Sequence, residues 1–366
     1  MRDSFHREIN YMRISITDRC NLRCVYCMPH GIPTIPMAEI LTFEEIARVC
    51  RQAVCLGITR FKITGGEPLA RLGCPDLIRM IRQIPGVQQV TMTTNGVLLR
   101  KYLRELTEAG LDAVNISLDT TDWNLYAKIT GSDCLSQVIS SLEAARQFGL
   151  KVKINSVLQQ NLNADAWKDL LTLSKRYGTD IRFIELMPVG QGKFGAPISN
   201  TDLYRQIENE FGQLTPDQKP HGNGPAVYYR LPGFDGSVGF ISPIHGKFCH
   251  TCNRIRMTST GEIKPCLGYE STFDVRAALR SNTMLPQCQK DDDLQSGQNP
   301  GITLQNQDDE TVRRILAEAI SAKPKMHCFE TLTKNSAEHL PEYLPEQDFT
   351  GRPLAAETRG MSKIGG

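Results

Sequence analysis

A predicted helix that ends at a glycine and is followed by a strand recurs five times in the first half of this chain. Glycine closes helices because it adopts the left-handed backbone conformation without a steric penalty. With an opening strand over 12–17, the recurrence predicts six parallel strands joined by right-handed helical crossovers. The joints are predicted at Gly57 before strand 60–64, Gly86 before 90–94, Gly110 before 113–119, Gly149 before 152–158 and Gly178 before 181–187.

Several of these strands alternate between apolar and polar side chains, as where Ser15 separates Ile14 from Ile16. Parallel strands buried on both faces are continuous apolar runs, and successive side chains on a strand point to opposite faces. The alternation predicts an α/β fold, an incomplete (β/α)6 TIM-like barrel whose polar faces line an open lumen. A closed eight-stranded barrel would fill its interior with aliphatic side chains. An ordinary parallel sheet would explain one alternating strand but not four.

The alternation of predicted helices and strands stops after Met187. A Pro- and Gly-rich stretch follows a predicted helix over 201–211. We therefore predict a barrel domain over 1–212 and a smaller α+β domain over 213–366. The polar stretch 286–310 is predicted to be a disordered insertion. A helix is predicted over 311–321.

Composition excludes several classes of protein. Lys and Arg number 42 and Asp and Glu 40, a net charge of +2, so any anion site needs a local cluster of cations. No apolar run approaches the ~20 residues that cross a bilayer, and the N-terminus lacks a secretory pattern. The 12 cysteines are too sparse for a disulfide scaffold. Cysteines in such a chain indicate metal or redox ligands in a reducing compartment, and we expect a cytoplasmic protein.

Cys20, Cys24 and Cys27 form a Cys-x3-Cys-x2-Cys motif directly after the first predicted strand. Three thiolates this close can bind three irons of a [4Fe–4S] cluster and leave the fourth iron open to a ligand. Zinc with a remote fourth ligand is the alternative, because structural zinc sites need four ligands.

A second group of three cysteines, Cys249, Cys252 and Cys266, lies in the C-terminal part. Alone, it would favour zinc with His245 or His250 as fourth ligand. Beside the first motif, it favours a second [4Fe–4S] cluster with an open iron.

Cys252 leads into Arg254 and Arg256, which would share one face of an extended segment. The planar, permanently charged guanidinium suits phosphate. A solvated basic strand edge is the alternative.

The first cysteine motif, followed by Thr64-Gly65-Gly66-Glu67-Pro68 at the end of the second strand, resembles the radical S-adenosylmethionine (SAM) superfamily. The resemblance implies that the first three cysteines hold a cluster whose free iron chelates SAM. It also implies that the glycine turn lets the backbone approach the SAM amino group, and that Tyr26 lies near the adenine.

Both cysteine groups, the two arginines and the C-terminal Gly365-Gly366 resemble, more narrowly, the GTP 3',8-cyclase family of molybdenum cofactor biosynthesis. This implies two [4Fe–4S] clusters and SAM as cofactor. The Gly-Gly tail, free of side chains, could thread into the pocket near the arginines, and a frayed terminus is the alternative. Implied SAM contacts are Tyr26, Gly66, Ser117 and Met187. Implied GTP contacts are Arg13, Lys62, Thr93, Lys153, Arg254 and Arg256. The family commonly has arginine where this chain has Lys62. Lysine keeps the positive charge but lacks the bidentate guanidinium group of arginine.

The implied activity is that of a lyase that converts GTP to (8S)-3',8-cyclo-7,8-dihydroguanosine 5'-triphosphate, the first step of molybdopterin synthesis. A radical made from SAM would remove hydrogen from C3' of the ribose. Implied partners are an electron donor such as flavodoxin or ferredoxin, the downstream cyclic pyranopterin monophosphate synthase and a second copy in a homodimer. Neither nucleic acid nor a membrane is expected.

Two rival functions predict other features. A peptide-modifying SAM enzyme would carry more C-terminal cysteines and an acidic or apolar groove. A non-enzymatic zinc or iron–sulfur protein that binds nucleic acid would be basic, unlike this chain. The cysteines without ligand spacing are interpreted as small buried hydrophobes or incidental thiols. They are Cys50, Cys55, Cys74, Cys134, Cys288 and Cys328.

Overall fold

The computed structural model describes residues 1–31, 35–281 and 300–329. Six strands and the helices between them build the barrel. The strands are β1 (Tyr11–Ser15), β2 (Arg60–Thr64), β3 (Gln89–Thr94), β4 (Ala113–Ser117), β5 (Lys151–Val157) and β6 (Asp180–Ile184). The helices are α1 (Phe43–Cys55), α2 (Cys74–Arg82), α3 (Leu99–Glu108), α4 (Trp123–Thr130), α5 (Leu135–Gln147), α6 (Trp167–Tyr177) and α7 (Asn200–Phe211).

The C-terminal part adds short strands and two helices. The strands are β7 (Thr215–Pro216), β8 (Val227–Arg230), β9 (Val238–Ile241), β10 (Arg254–Met257), β11 (Glu262–Lys264) and β12 (Phe273–Asp274). The helices are α8 (Arg276–Arg280) and α9 (Pro300–Ser321).

All twelve strands belong to one sheet of order β12-β11-β10-β1-β2-β3-β4-β5-β6-β9-β8-β7. The barrel strands are parallel to one another, and β10 and β9 pair parallel with β1 and β6 at the two edges. Among the described strands, the two at the ends of this order do not pair with each other, so the barrel is open. The prediction of an incomplete parallel barrel is confirmed. The C-terminal strands extend both of its edges, which brings residues near 254 beside the first strand.

The helix-to-strand joints follow the predicted pattern. Gly57, Gly86, Gly110, Gly149 and Gly178 all have positive φ, between 57° and 94°. Strand bounds shift by a few residues, most at the carboxyl ends, where the chain leaves the sheet to form the loops of the lumen mouth. The first helix begins with a complete capping box between Thr42 and Glu45.

The prediction of disorder over 286–310 is wrong for its last part, because residues 300–310 belong to α9. The polar composition there was misleading. Asp309 pairs with Arg48 of α1 at 2.9 Å, and Val312 and Leu316 are fully buried. The helix is therefore held against α1 by this ion pair and by the buried apolar residues that follow it. The rest of the predicted insertion, Cys288 and the Gly365-Gly366 tail lie outside the described residues.

The polar side chains of neighbouring strands are aligned with one another on the face of the sheet that lines the lumen. Arg13 of β1 is aligned with Arg256 of β10 and with Lys62 of β2. The opposite faces carry fully buried residues such as Ile14 and Ile63. The two-residue period therefore separates a helix-covered core from a charged interior.

Within the described residues, no helix is both long and apolar enough to cross a membrane. The predicted boundary at residue 212 stays a prediction, since one sheet continues through both parts of the chain.

Candidate active site

The first cysteine group lies on a loop at the carboxyl end of β1. The loop is fixed by backbone hydrogen bonds from Arg23 to Thr130 and from Val25 to Ile129, at 2.8 and 2.9 Å. Its thiols are partly buried. Burial raises the pKa of Cys24, and Asp119 and the neighbouring thiols of Cys27 and Cys20 add to the rise. The loop thus presents three neighbouring sulfurs beside the sheet.

The Gly-Gly-Glu-Pro turn packs directly on this loop. Backbone hydrogen bonds join Gly66 to Thr17 at 2.7 Å and Glu67 to Arg19 at 2.8 Å. A Cβ atom on Gly66 would lie 2.3 Å from the Arg19 carbonyl oxygen. Glycine is therefore required here for close approach of two backbone segments, which positions the residues just before Cys20.

Replacing Gly66 with alanine is expected to displace the cysteine loop, because the clash is with backbone and no side chain can move aside. Iron bound per chain and SAM affinity should both fall. The matched control is Gly224→Ala, where the new Cβ would come no closer than 4.0 Å to a neighbour. Iron content measured after anaerobic reconstitution decides: full iron loading of the Gly66 variant would contradict the steric role.

Glu67 connects the ends of two strands. Its carboxylate accepts hydrogen bonds from the backbone of Leu69 and Asn95 and from the Thr94 hydroxyl, at 2.7–3.0 Å. Burial raises the pKa of Glu67 to about 7, and these three donors oppose that rise. The Glu67 side chain therefore joins the ends of β2 and β3 and positions Asn95. The Asn95 amide lies 3.8 Å from Cys20 Sγ.

Tyr26, within the cysteine motif, is held by Asp119 at the end of β4. The phenol hydroxyl donates to Asp119 Oδ2 at 2.5 Å, and Asp119 Oδ1 accepts from the Val157 backbone at 2.8 Å. Burial raises the pKa of Asp119 to about 6. The contact fixes the aromatic ring between the cysteine loop and the sheet.

The second cysteine group surrounds the β10–β11 hairpin. Cys252 precedes β10 by two residues and Cys266 follows β11 by two, and antiparallel pairing aligns Arg256 with Lys264. That register brings both cysteines to the same end of the hairpin. Cys249 lies in the adjoining turn, where its carbonyl accepts from Arg7 at 2.8 Å. The long gap in the motif is therefore the length of a hairpin.

Lys323 lies beside this second group. Burial acts to raise the pKa of Cys252, but Arg254 and Lys323 outweigh burial and lower that pKa to about 6. Cys252 is thus held toward the thiolate form that binds metal.

Both cysteine groups line one cavity at the carboxyl ends of the barrel strands. Every predicted cluster ligand and SAM contact lies in its wall, and so do four of the six predicted GTP contacts. They are Cys20, Cys24, Cys27, Cys249, Cys252, Cys266, Tyr26, Gly66, Ser117, Met187, Arg13, Thr93, Arg254 and Arg256.

The structure does not bring Lys62 and Lys153 to the wall of this cavity. Lys153 Nζ pairs with Asp180 at 3.0 Å and contacts the Tyr228 hydroxyl and the His221 carbonyl. Its predicted contact with the substrate stays a prediction. The sequence did not reveal this pairing, because Asp180 and the 217–228 segment reach Lys153 only through the fold.

Cations accumulate in the cavity wall and on the strands beside it. Burial, followed by Arg182, Arg13, Lys153 and Arg254, lowers the pKa of Lys62 well below its usual range. Burial also lowers the pKa of Arg256, and Arg13 and Arg254 add to it. Like charges in a poorly solvated lumen repel one another, and an anionic ligand would relieve that repulsion.

Each cysteine group offers three thiolates, the type of ligand that holds iron–sulfur clusters. Among the described residues, no three His, Cys, Asp or Glu side chains are arranged to hold one metal ion. His245 is instead bound to Glu185, with Nδ1 3.0 Å from Oε1.

Sequence reasoning missed several residues of the cavity wall. Asn95, Lys323, His327 and Phe329 line it without belonging to any motif. Cys328, interpreted from sequence as incidental, donates to the Gly268 carbonyl at 2.6 Å and lies near Cys266. The other thiols vary: Cys50 and Cys74 are buried and Cys55 is exposed. No local spacing could have marked these residues.

Comparisons with known proteins agree with this site. Residues 14–173 match the model of the radical SAM superfamily, and residues 179–291 match the Molybdenum Cofactor Synthesis C model. Streptococcus suis SuiB bound to S-adenosylmethionine is similar in fold, with a TM-score of 0.55 and 17% identity over 74% of this chain and 64% of SuiB. Together with the relatives described next, the match to this family model shows that the chain is a radical SAM protein.

Relatives with known names identify the family within the radical SAM class to which this chain belongs. The GTP 3',8-cyclase of Thermodesulfovibrio yellowstonii is 44% identical over 286 residues, 77% of this chain and 88% of the relative. That of Alkaliphilus oremlandii is 39% identical over 371 residues, 100% of both chains. The chain belongs to the GTP 3',8-cyclase family.

Proposed function

We propose that this chain converts GTP to (8S)-3',8-cyclo-7,8-dihydroguanosine 5'-triphosphate, the first step of molybdopterin synthesis. The observation that carries the proposal is that both cysteine groups and Arg13, Arg254 and Arg256 line one cavity. A polyanionic nucleotide fits such a cation-rich wall in a chain whose net charge is only +2.

The two cysteine groups are proposed to hold the two clusters of this site. Cys20, Cys24 and Cys27 would hold the first cluster, and the second group would hold the other. When bound, the first cluster and SAM supply one-electron chemistry that makes a hydrogen-abstracting radical.

Such a radical is unselective, so this chain must provide position and exclude water. Tyr26, Ser117 and Met187 would fix SAM, while the guanidinium groups of Arg254 and Arg256 would bind the nucleotide. Thr93, Lys62 and Lys153 are proposed to complete the substrate site.

The test uses the full-length protein, reconstituted with iron and sulfide without oxygen and chemically reduced. GTP, but not ATP, should stimulate 5'-deoxyadenosine formation. GTP carrying deuterium at C3' should give 5'-deoxyadenosine one mass unit heavier, since the abstracted atom ends in that product. Equal stimulation by GTP and ATP, or no deuterium transfer, would overturn the assignment.

We also propose the remaining partners and location. An electron donor such as flavodoxin or ferredoxin, a downstream cyclic pyranopterin monophosphate synthase and a homodimer are those that the family implies. Partly buried thiols suited to iron support a reducing cytoplasmic compartment.

A further inference from the structure

Lys323 follows the end of α9 by two residues and is 3% exposed. A lysine this deeply buried needs partners, because an unpaired ammonium is costly to remove from water. Its Nζ donates to the Arg254 carbonyl at 2.9 Å and to the Pro265 carbonyl at 2.8 Å. The side chain also lies in the wall of the cavity that both cysteine groups share.

The two carbonyls belong to the two segments that carry ligands of the second group. Arg254 is two residues after Cys252, and Pro265 directly precedes Cys266. One ammonium therefore connects both ends of the hairpin at the point where the two cysteines leave it. Lys323 is also close enough to interact electrostatically with the thiols of Cys252 and Cys266.

The first cysteine group has a different neighbour. There, the uncharged amide of Asn95 approaches Cys20 Sγ at 3.8 Å, and the neighbouring cation, Arg23, is exposed to solvent. Hydrogen bonds to sulfur and the net charge around a cluster set its reduction potential. A cation beside the sulfurs stabilises the more negative, reduced state, so a buried ammonium favours reduction more than an amide does.

We propose that Lys323 is a positioning residue of the second cysteine group, which connects its two ligand segments and raises the reduction potential of the cluster held there. This rests on the proposed function only in requiring that the second group bind a [4Fe–4S] cluster. The role is distinct from substrate binding, because the ammonium is already bonded to the ligand segments.

The experiment compares Lys323→Gln, Lys323→Met and Lys323→Arg in the full-length, reconstituted protein. Glutamine removes the charge but keeps a donor, methionine removes both, and arginine keeps both. Lys325→Met is the matched control, since Lys325 is exposed two residues further on. Iron per chain and the midpoint potentials of both clusters are measured by anaerobic redox titration with electron paramagnetic resonance, without SAM or GTP.

The glutamine variant should keep its iron and shift only the second cluster to a more negative potential. The methionine variant should show the same shift or lose the iron of the second cluster. Arginine and the Lys325 variant should match the parent. A second cluster with unchanged potential in both the glutamine and the methionine variants would overturn the inference, as would equal iron loss in the Lys325 variant.

These readouts separate two failures. If the second group holds zinc, its resonance signal is absent in the parent and the proposed function itself fails. If the signal is present but does not respond to Lys323, only the inference fails.

Discussion

Replacing Cys24 with serine is expected to abolish 5'-deoxyadenosine formation. Cys24 is the central member of the first group and interacts with both neighbouring thiols. Serine keeps the shape but offers a hard oxygen, which iron–sulfur clusters bind poorly in place of thiolate. Iron should fall from about eight to about four atoms per chain, as expected when one of two cubane clusters is lost.

The control for this loss is Cys55→Ser. Cys55 is the exposed last residue of α1 and lies outside the cavity wall. This variant should keep the iron and the turnover of the parent. A Cys24 variant that still bound about eight irons, as two intact clusters require, would show that the first group is not a cluster site.

Replacing Arg256 with alanine is expected to weaken GTP binding strongly. Arg256 is 7% exposed and aligned with Arg13 on the lumen face of the neighbouring strand. Hydrogen bonds to a charged group contribute about 1.5–3 kcal/mol, so the Kd for GTP should rise roughly 10- to 150-fold. Anaerobic calorimetry with the iron-loaded protein measures this directly.

Two further variants define the cause. Arg256→Lys should lie between the parent and alanine, because it keeps the charge but loses the bidentate fork. Arg51→Ala, on the exposed outer face of α1, should bind GTP as the parent does. An unchanged Kd in the alanine variant, with iron content intact, would exclude Arg256 from the nucleotide site.

The barrel was predictable because its signals are local. Alternation around Ser15 reports two faces of one strand, and a glycine after each helix reports the turn that follows. The same kind of local pattern led to a wrong prediction of disorder over 300–310. There, polar residues form a helix because Asp309 pairs with Arg48 on another element. Composition cannot reveal a partner that lies far away in the sequence.

The functional site, too, was only partly predictable from local patterns in the sequence. Ligand spacing identified all six cysteines that line the cavity, since a cluster fixes the separation of neighbouring thiolates. It did not identify Lys323, or the pairing of Lys153 with Asp180. Those contacts join segments that no spacing rule connects.

The local patterns of this chain were enough to predict a parallel barrel with a polar interior and two sets of three cysteines at ligand spacing. That the two sets share a cavity depends on the fold, because β10 pairs with β1 and carries Arg254 and Arg256 to the edge beside Arg13. Strand periodicity and ligand spacing act over a few residues, whereas pairing between distant strands depends on the packing of the whole chain.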